Sequence, residues 1–202
     1  ESTAYLAARD SDLARLFAVD GVPPLWARKP SFSTLIHIIL EQQVSLASAL
    51  AMHRRLLDNL VPFTPDNFVK AGSSRLRSMG VTRQKAAYCI HVAEAILEHR
   101  LNLKALLKMD DTAVLDTLTQ IKGIGPWTAN IYLLMALLRP DVWPPGDIAL
   151  MNTLRKVKSL KGHPSPSDLS EITEGWRPFR SVAARMLWHH YLSEKSRNLS
   201  SN

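Results

Sequence analysis

Apolar residues recur along this chain at the three- to four-residue spacing of helices, and no segment alternates convincingly with a period of two. In TAYLAARDSDLARLFA (3–18), Tyr5, Leu6, Leu13, Leu16 and Phe17 share a stripe, which predicts one helix. A proline-rich loop follows at 20–30. SFSTLIHIILEQQ (31–43) is apolar on almost every side, as a buried central helix would be. SLASALAMHRRLLDNL (45–60) opens on a capping serine and sets Leu46, Leu50, His53 and Leu57 at helical spacing. Thr64-Pro65 reads as a helix start, and 76–100 as a short helix stopped at Gly80 and a longer one capped at Thr82. LKALLKM (103–109), DDTAVLDTLTQI (110–121), TANIYLLMALLR (128–139) and IALMNTLRKVKSL (148–160) add further helices. Ser165, Pro166 and Asp168 begin another, and 177–195 the last, with 195–202 as a frayed tail.

The expected fold is therefore all-α, with about ten or eleven helices. It would form two helical lobes with a cleft between them: a central lobe over about 44–140, and a second built from the N- and C-terminal helices. Composition agrees with a folded chain, since 46% of residues are hydrophobic and 21% charged. The net charge of +7 predicts attraction to polyanions, nucleic acid first and an anionic membrane surface second. One cysteine, Cys89, excludes an internal disulfide and any cluster that needs four thiolates. No apolar run is long enough to span a membrane, and the first residues lack the basic start of a secretory signal.

The chemistry concentrates at IKGIGPWTAN (121–130). A helix ends near Gly123 and another begins by Trp127 or Thr128, so the turn is only a few residues long. Glycine supplies positive φ and leaves no Cβ in the way of a partner. The N–H groups at the second helix's start suit a phosphate. Lys122, Gly123, Ile124, Gly125 and Thr128 thus form a candidate handle on a nucleic-acid backbone; the same pattern also suits an αα-hairpin that needs glycine at its corner. Asp147, in WPPGDIALMN, stands at a helix start and is a good N-cap. Arg83 and Lys85, at the helix start after Gly80, are the better phosphate candidates; Arg54, Arg55, Arg155, Lys156 and Lys158 belong to charge runs that are usually solvated faces.

LTQIKGIGPWTAN followed by DVWPPGD resembles the helix–hairpin–helix and Gly/Pro-rich loop with Asp of the HhH-GPD superfamily of DNA glycosylases. Within it the chain is most similar to the DNA-3-methyladenine glycosylase II group, through 35–49, 76–96 and 176–189 as well. The resemblance implies that Asp147 is catalytic, stabilising positive charge on the deoxyribose as the base departs and orienting the attacking water. A cationic alkylated base leaves as a neutral molecule and needs little acid help. Strand-nicking members carry a Schiff-base lysine two residues after the second glycine, where this chain has Trp127. The resemblance thus implies a monofunctional enzyme without lyase activity and without the iron–sulfur cluster of the endonuclease III branch.

By motif position Trp127 and Trp188 match aromatic walls of the base pocket, with Tyr132 and His189 beside them. Ile131 and His189 stand where other members carry aromatics. Gln42 and Gln43 match the segment that enters the minor groove, Gln43 at the wedge. Main-chain carbonyls of Thr119, Ile121 and Ile124 would hold a monovalent cation; no other cofactor is expected. The implied partner is double-stranded DNA with alkylated bases, bound by a monomer in whichever compartment holds DNA: nucleoid and cytoplasm, or nucleus. A glycosylase for a deaminated base such as uracil, or a non-catalytic damage-binding module, are the alternatives.

Overall fold

The computed structural model describes residues 1–162 and 164–200. Among these the chain forms α1 Ser2–Arg9, α2 Ser11–Asp20, α3 Phe32–Glu41, α4 Leu46–Asn59, α5 Pro65–Ser78, α6 Arg83–Leu97, a 3-10 turn Ala105–Lys108, α7 Asp111–Thr119, α8 Pro126–Met135, α9 Ile148–Val157, α10 Pro166–Glu174 and α11 Arg180–Ser200. No strand occurs among the described residues. They divide into a central unit, Ala27–Leu138, and a terminal unit made of Glu1–Trp26 and the described residues from Arg139 onward.

The central unit begins at residue 27, not 44, because α3 packs on α4, α6 and α8. Phe32, Leu35, Ile36, Ile38, Ile39 and Leu40 are buried, so α3 is the core rod expected from its apolar run. Ser31 caps it by accepting from the Thr34 N–H at 3.2 Å. The face of α4 differs from the expected stripe. Ala49, His53 and Leu56 are buried, while Leu46, Leu50 and Leu57 are exposed. His53, common to both faces, stacks on His37 at 4.3 Å with parallel rings, and its Nε2 lies 3.0 Å from Ser33 Oγ. Burial first, then the neighbouring His37, pushes His53 down to about 4, so it packs as a neutral ring. LKALLKM forms only the short 3-10 turn.

In the terminal unit the predicted first helix breaks in two. Asp10 turns extended, and its Oδ1 accepts from the N–H groups of Asp12 and Leu13 at 3.0 and 3.2 Å, capping α2. The same carboxylate accepts from Lys158 Nζ at 2.8 and 2.7 Å and from Trp176 Nε1 at 2.7 Å. One side chain therefore joins the α1–α2 corner to the end of α9 and to Trp176, which is buried. At the other end, the segment expected to fray from residue 195 is helical as far as Ser200, while 201–202 lie outside the described residues. The last helix is held on α2: His190 Nδ1 and Arg197 Nη1 reach the carboxylate of Asp20 at 2.6 and 3.1 Å.

Burial opposes the charge on Asp10, but hydrogen bonds from Lys158, Trp176 and the Leu13 N–H outweigh it and hold the carboxyl below its ordinary 3.8. A depressed carboxylate contributes stability that is complete above its unfolded value and lost as pH falls through its folded value. Asp10→Ala is expected to cost about 3 kcal/mol at neutral pH, from the lost cap and from the buried Trp176 Nε1 left without its acceptor, while Lys158 keeps Asp12 at 3.0 Å. Denaturant titrations of the two proteins should converge as pH falls below 3.8. A gap that stays constant into acid would contradict this role.

Candidate active site and nucleic-acid interface

The hairpin lies in the central unit. α7 ends in tight turns, with Ile121 N–H donating to Leu118 O at 3.1 Å and Ile124 N–H to Ile121 O at 2.9 Å. Ile121 and Ile124 are buried anchors, while Lys122 between them is exposed. Gly123 takes φ +105, and a Cβ there would fall onto the Cβ, Cγ and Cδ1 of Tyr88. Gly125 differs: its φ is −92, it starts α8 without a side-chain cap, and a Cβ there would meet open space. One glycine is required by the protein's own packing; the other leaves room on the outside. Pro126 supplies the first helical position, where its missing N–H costs nothing. α6 braces the turn, with Tyr88 under Gly123 and His91 Nδ1 donating to the Lys122 carbonyl at 3.3 Å. Neither residue was marked by a sequence pattern; both lie half-buried on α6.

Three expected DNA contacts in this unit turn inward, Ile124 being the buried anchor already described. Lys85 is buried, its Nζ donating to Leu40 O at 2.7 Å at the end of α3, and burial holds it below the ordinary lysine value. Thr128 is also buried, and its hydroxyl accepts from Gln42 Nε2 at 2.9 Å. The same Gln42 nitrogen donates to Gly123 O at 2.9 Å. Gln43 and Arg83 remain exposed, Gln43 with φ +55. Trp127 is half-buried on the first turn of α8. Tyr132 is fully buried, which removes it from the wall of any open pocket. Its hydroxyl has no partner among the described residues, and burial pushes it up to about 12.

Asp147 belongs to the terminal unit. It is half-buried, and its Oδ1 caps α9 by accepting from the Leu150 N–H at 2.9 Å. Trp188 Nε1 donates to the same oxygen at 3.3 Å. The carboxylate thus stands at the positive end of the α9 dipole with an indole fixed beside it. The loop that delivers it is sewn to the start of α11. Ser181, fully buried, accepts from Val142 N–H at 3.0 Å and donates to Val142 O at 3.2 Å. Arg180 and Arg177 reach the Asp141 carboxylate at 2.9 and 2.7 Å. These supports have no spacing signature in the sequence. His189 lies one residue past Trp188 but spends Nε2 on Asp20 O at 2.9 Å, with its ring edge-on to Trp26.

A braced Gly-x-Gly turn in one unit and a helix-capping aspartate after a Pro-Pro-Gly loop in the other are the two halves of the family signature, and residues 36–178 match the HhH-GPD model. The chain belongs to the HhH-GPD superfamily of base excision DNA repair proteins. Two Bacillus subtilis relatives of this HhH-GPD chain match most of its length. One is 27% identical over 186 residues; the other, a DNA-3-methyladenine glycosylase, is 26% identical over 182. They cover 88% and 84% of this chain, which spans 65% and 58% of theirs, less than two thirds of either. The structure of Schizosaccharomyces pombe 3-methyladenine DNA glycosylase in complex with abasic DNA superposes with a TM-score of 0.84 at 25% identity, over 96% of both chains.

The two glycines of this HhH-GPD hairpin should respond differently to alanine. Gly123→Ala is expected to lower stability by about 2 kcal/mol or more, because the left-handed φ and the Tyr88 ring both oppose a Cβ. Gly125→Ala should change the melting temperature little, because a Cβ there meets open space. Equal loss of stability in both variants, measured by thermal denaturation, would contradict this difference.

Proposed function

We propose that the protein is a monofunctional DNA glycosylase of type II, which flips out alkylated bases such as 3-methyladenine and releases them by hydrolysis, leaving an abasic site. The observation that carries this reading is the placement of Asp147, half-buried at the start of α9 with Oδ1 fixed by Leu150 N–H and Trp188 Nε1. As the bond from C1′ to the base breaks, its electron pair leaves with the base and positive charge develops on the sugar. A carboxylate held in advance stabilises that charge without reorganising. Water then adds to C1′, and the proton it loses passes to the carboxylate or to solvent. Trp188 offers an electron-rich face beside the carboxylate, which suits a cationic purine.

The hairpin serves the phosphate backbone. Lys122 and the start of α8 supply charge and N–H groups, Arg83 adds a second cationic contact, and Gln43 enters the gap left by the flipped base. Carbonyls at the turn, with Thr119, Ile121 and Ile124 as the candidates, suit a monovalent cation; Ile121 O spends one lone pair on Ile124 N–H and retains another. The partner is double-stranded DNA, the active species a monomer, and carboxylate and water suffice for the hydrolysis. The lyase step is absent from this reading because Trp127 occupies the place of the Schiff-base lysine.

Asp147→Asn tests the role directly. An asparagine still caps α9, so stability should be unchanged, while release of 3-methyladenine from methylated duplex DNA should fall by about a hundredfold or more. A variant as fast as wild type would remove Asp147 from the chemistry. On a duplex with a pre-formed abasic site, the wild type should leave the strand intact and form no borohydride-trapped adduct. A trapped covalent complex would overturn the monofunctional reading.

A further inference from the structure

The turn from 42 to 45 joins α3 to α4 and presents Gln43, exposed, in the left-handed region at φ +55. A non-glycine residue there costs on the order of 1 kcal/mol and persists only where its surroundings impose it. Gln42 supplies that constraint. Its Nε2 donates to Gly123 O and to Thr128 Oγ1, both at 2.9 Å, which uses both protons of the amide nitrogen. Thr128 is 1% exposed, so one of these bonds forms away from water, where leaving it unmade is costly. Lys85 fixes the preceding turn of α3 through Leu40 O.

The two acceptors are specific to the hairpin. Gly123 is the residue whose backbone makes the turn, and Thr128 lies in the first turn of the helix that the turn aims. Gln42 therefore fastens the exposed 42–45 turn to the hairpin, inside one compact unit.

We propose that Gln42 is a positioning residue: it makes no contact with DNA itself, and it couples the seating of the hairpin on the backbone to the insertion of Gln43. This rests on the proposed function in one respect, that the hairpin grips DNA and Gln43 enters the duplex. The coupling predicts a separation of effects. Gln42→Ala leaves Lys122 and Gly125 in place, so the grip persists; Gln43 is no longer aimed, so insertion and base release suffer.

The experiment uses the full chain and a duplex carrying one tetrahydrofuran abasic site opposite 2-aminopurine, whose fluorescence rises as it unstacks. This probe has no bond to cleave, so it reports insertion independently of catalysis. Affinity is measured by anisotropy on the same duplex, and base release under single-turnover conditions on methylated DNA. Gln42→Ala should bind within about threefold of wild type, lose most of the fluorescence rise, and release base about tenfold more slowly, as two lost neutral hydrogen bonds allow. Thr128→Val, which loses one acceptor, should show the same split to a smaller extent, and Thr128→Ser, which keeps the hydroxyl, should resemble wild type. Should Gln42→Ala fail to fold, the two Thr128 variants decide, and identical behaviour of that pair overturns the coupling. It is also overturned if Gln42→Ala weakens affinity as much as it slows release, or alters neither. A wild type that unstacks 2-aminopurine but releases no base overturns the proposed activity alone; one that does not bind the duplex overturns both.

Discussion

What the hairpin can offer to a nucleic acid depends on Gly123 holding φ +105 against the ring of Tyr88. That conformation lets α7 end and α8 begin within a few residues, which brings the exposed Lys122 and the start of α8 to one corner. It also turns the Gly123 carbonyl to meet Gln42. Tyr88 is itself held by Gln84, whose Nε2 donates to its hydroxyl at 2.7 Å. The turn is thus a fixed object before any ligand arrives, and a preformed site spends less binding free energy on ordering itself.

In the proposed reading Asp147 meets a structural and a chemical requirement at once. It caps α9 through Leu150 N–H, and a carboxylate held in that way is what electrostatic stabilisation of a short-lived cation would need. The supports lie further back. Asp141 with Arg177 and Arg180, and Ser181 with Val142, tie the loop to α11 at both a charged and a buried point. Trp188 on that same helix then approaches Oδ1, so loop and indole share one foundation.

The helical period was legible because most elements here are amphipathic and several begin at capping residues, as at Ser31, Ser45, Thr64, Thr82 and Ser165. What escaped the period were places where a polar side chain overrode it. Asp10 broke a continuous stripe by bonding its own following backbone and Lys158. On α4 the buried face runs through Ala49, His53 and Leu56, with His53 stacked on His37, and leaves Leu57 exposed. Gly123 and Asp147 were readable because their residue types are tied to geometry, a left-handed φ and a helix cap. Lys85, Thr128 and Gln42 were not, since a lysine, a threonine or a glutamine looks the same in sequence whether it faces phosphate or a buried carbonyl. Tyr132, on the strongly apolar α8, is enclosed by the core rather than beside a pocket.

Release of alkylated bases by a fixed carboxylate with an aromatic neighbour can be read from mass analysis of the free bases produced from duplexes bearing either methylated purines or uracil. 3-Methyladenine is expected among the products, with no free uracil and an unbroken strand at each resulting abasic site. Free uracil with no methylated purine would contradict that expectation.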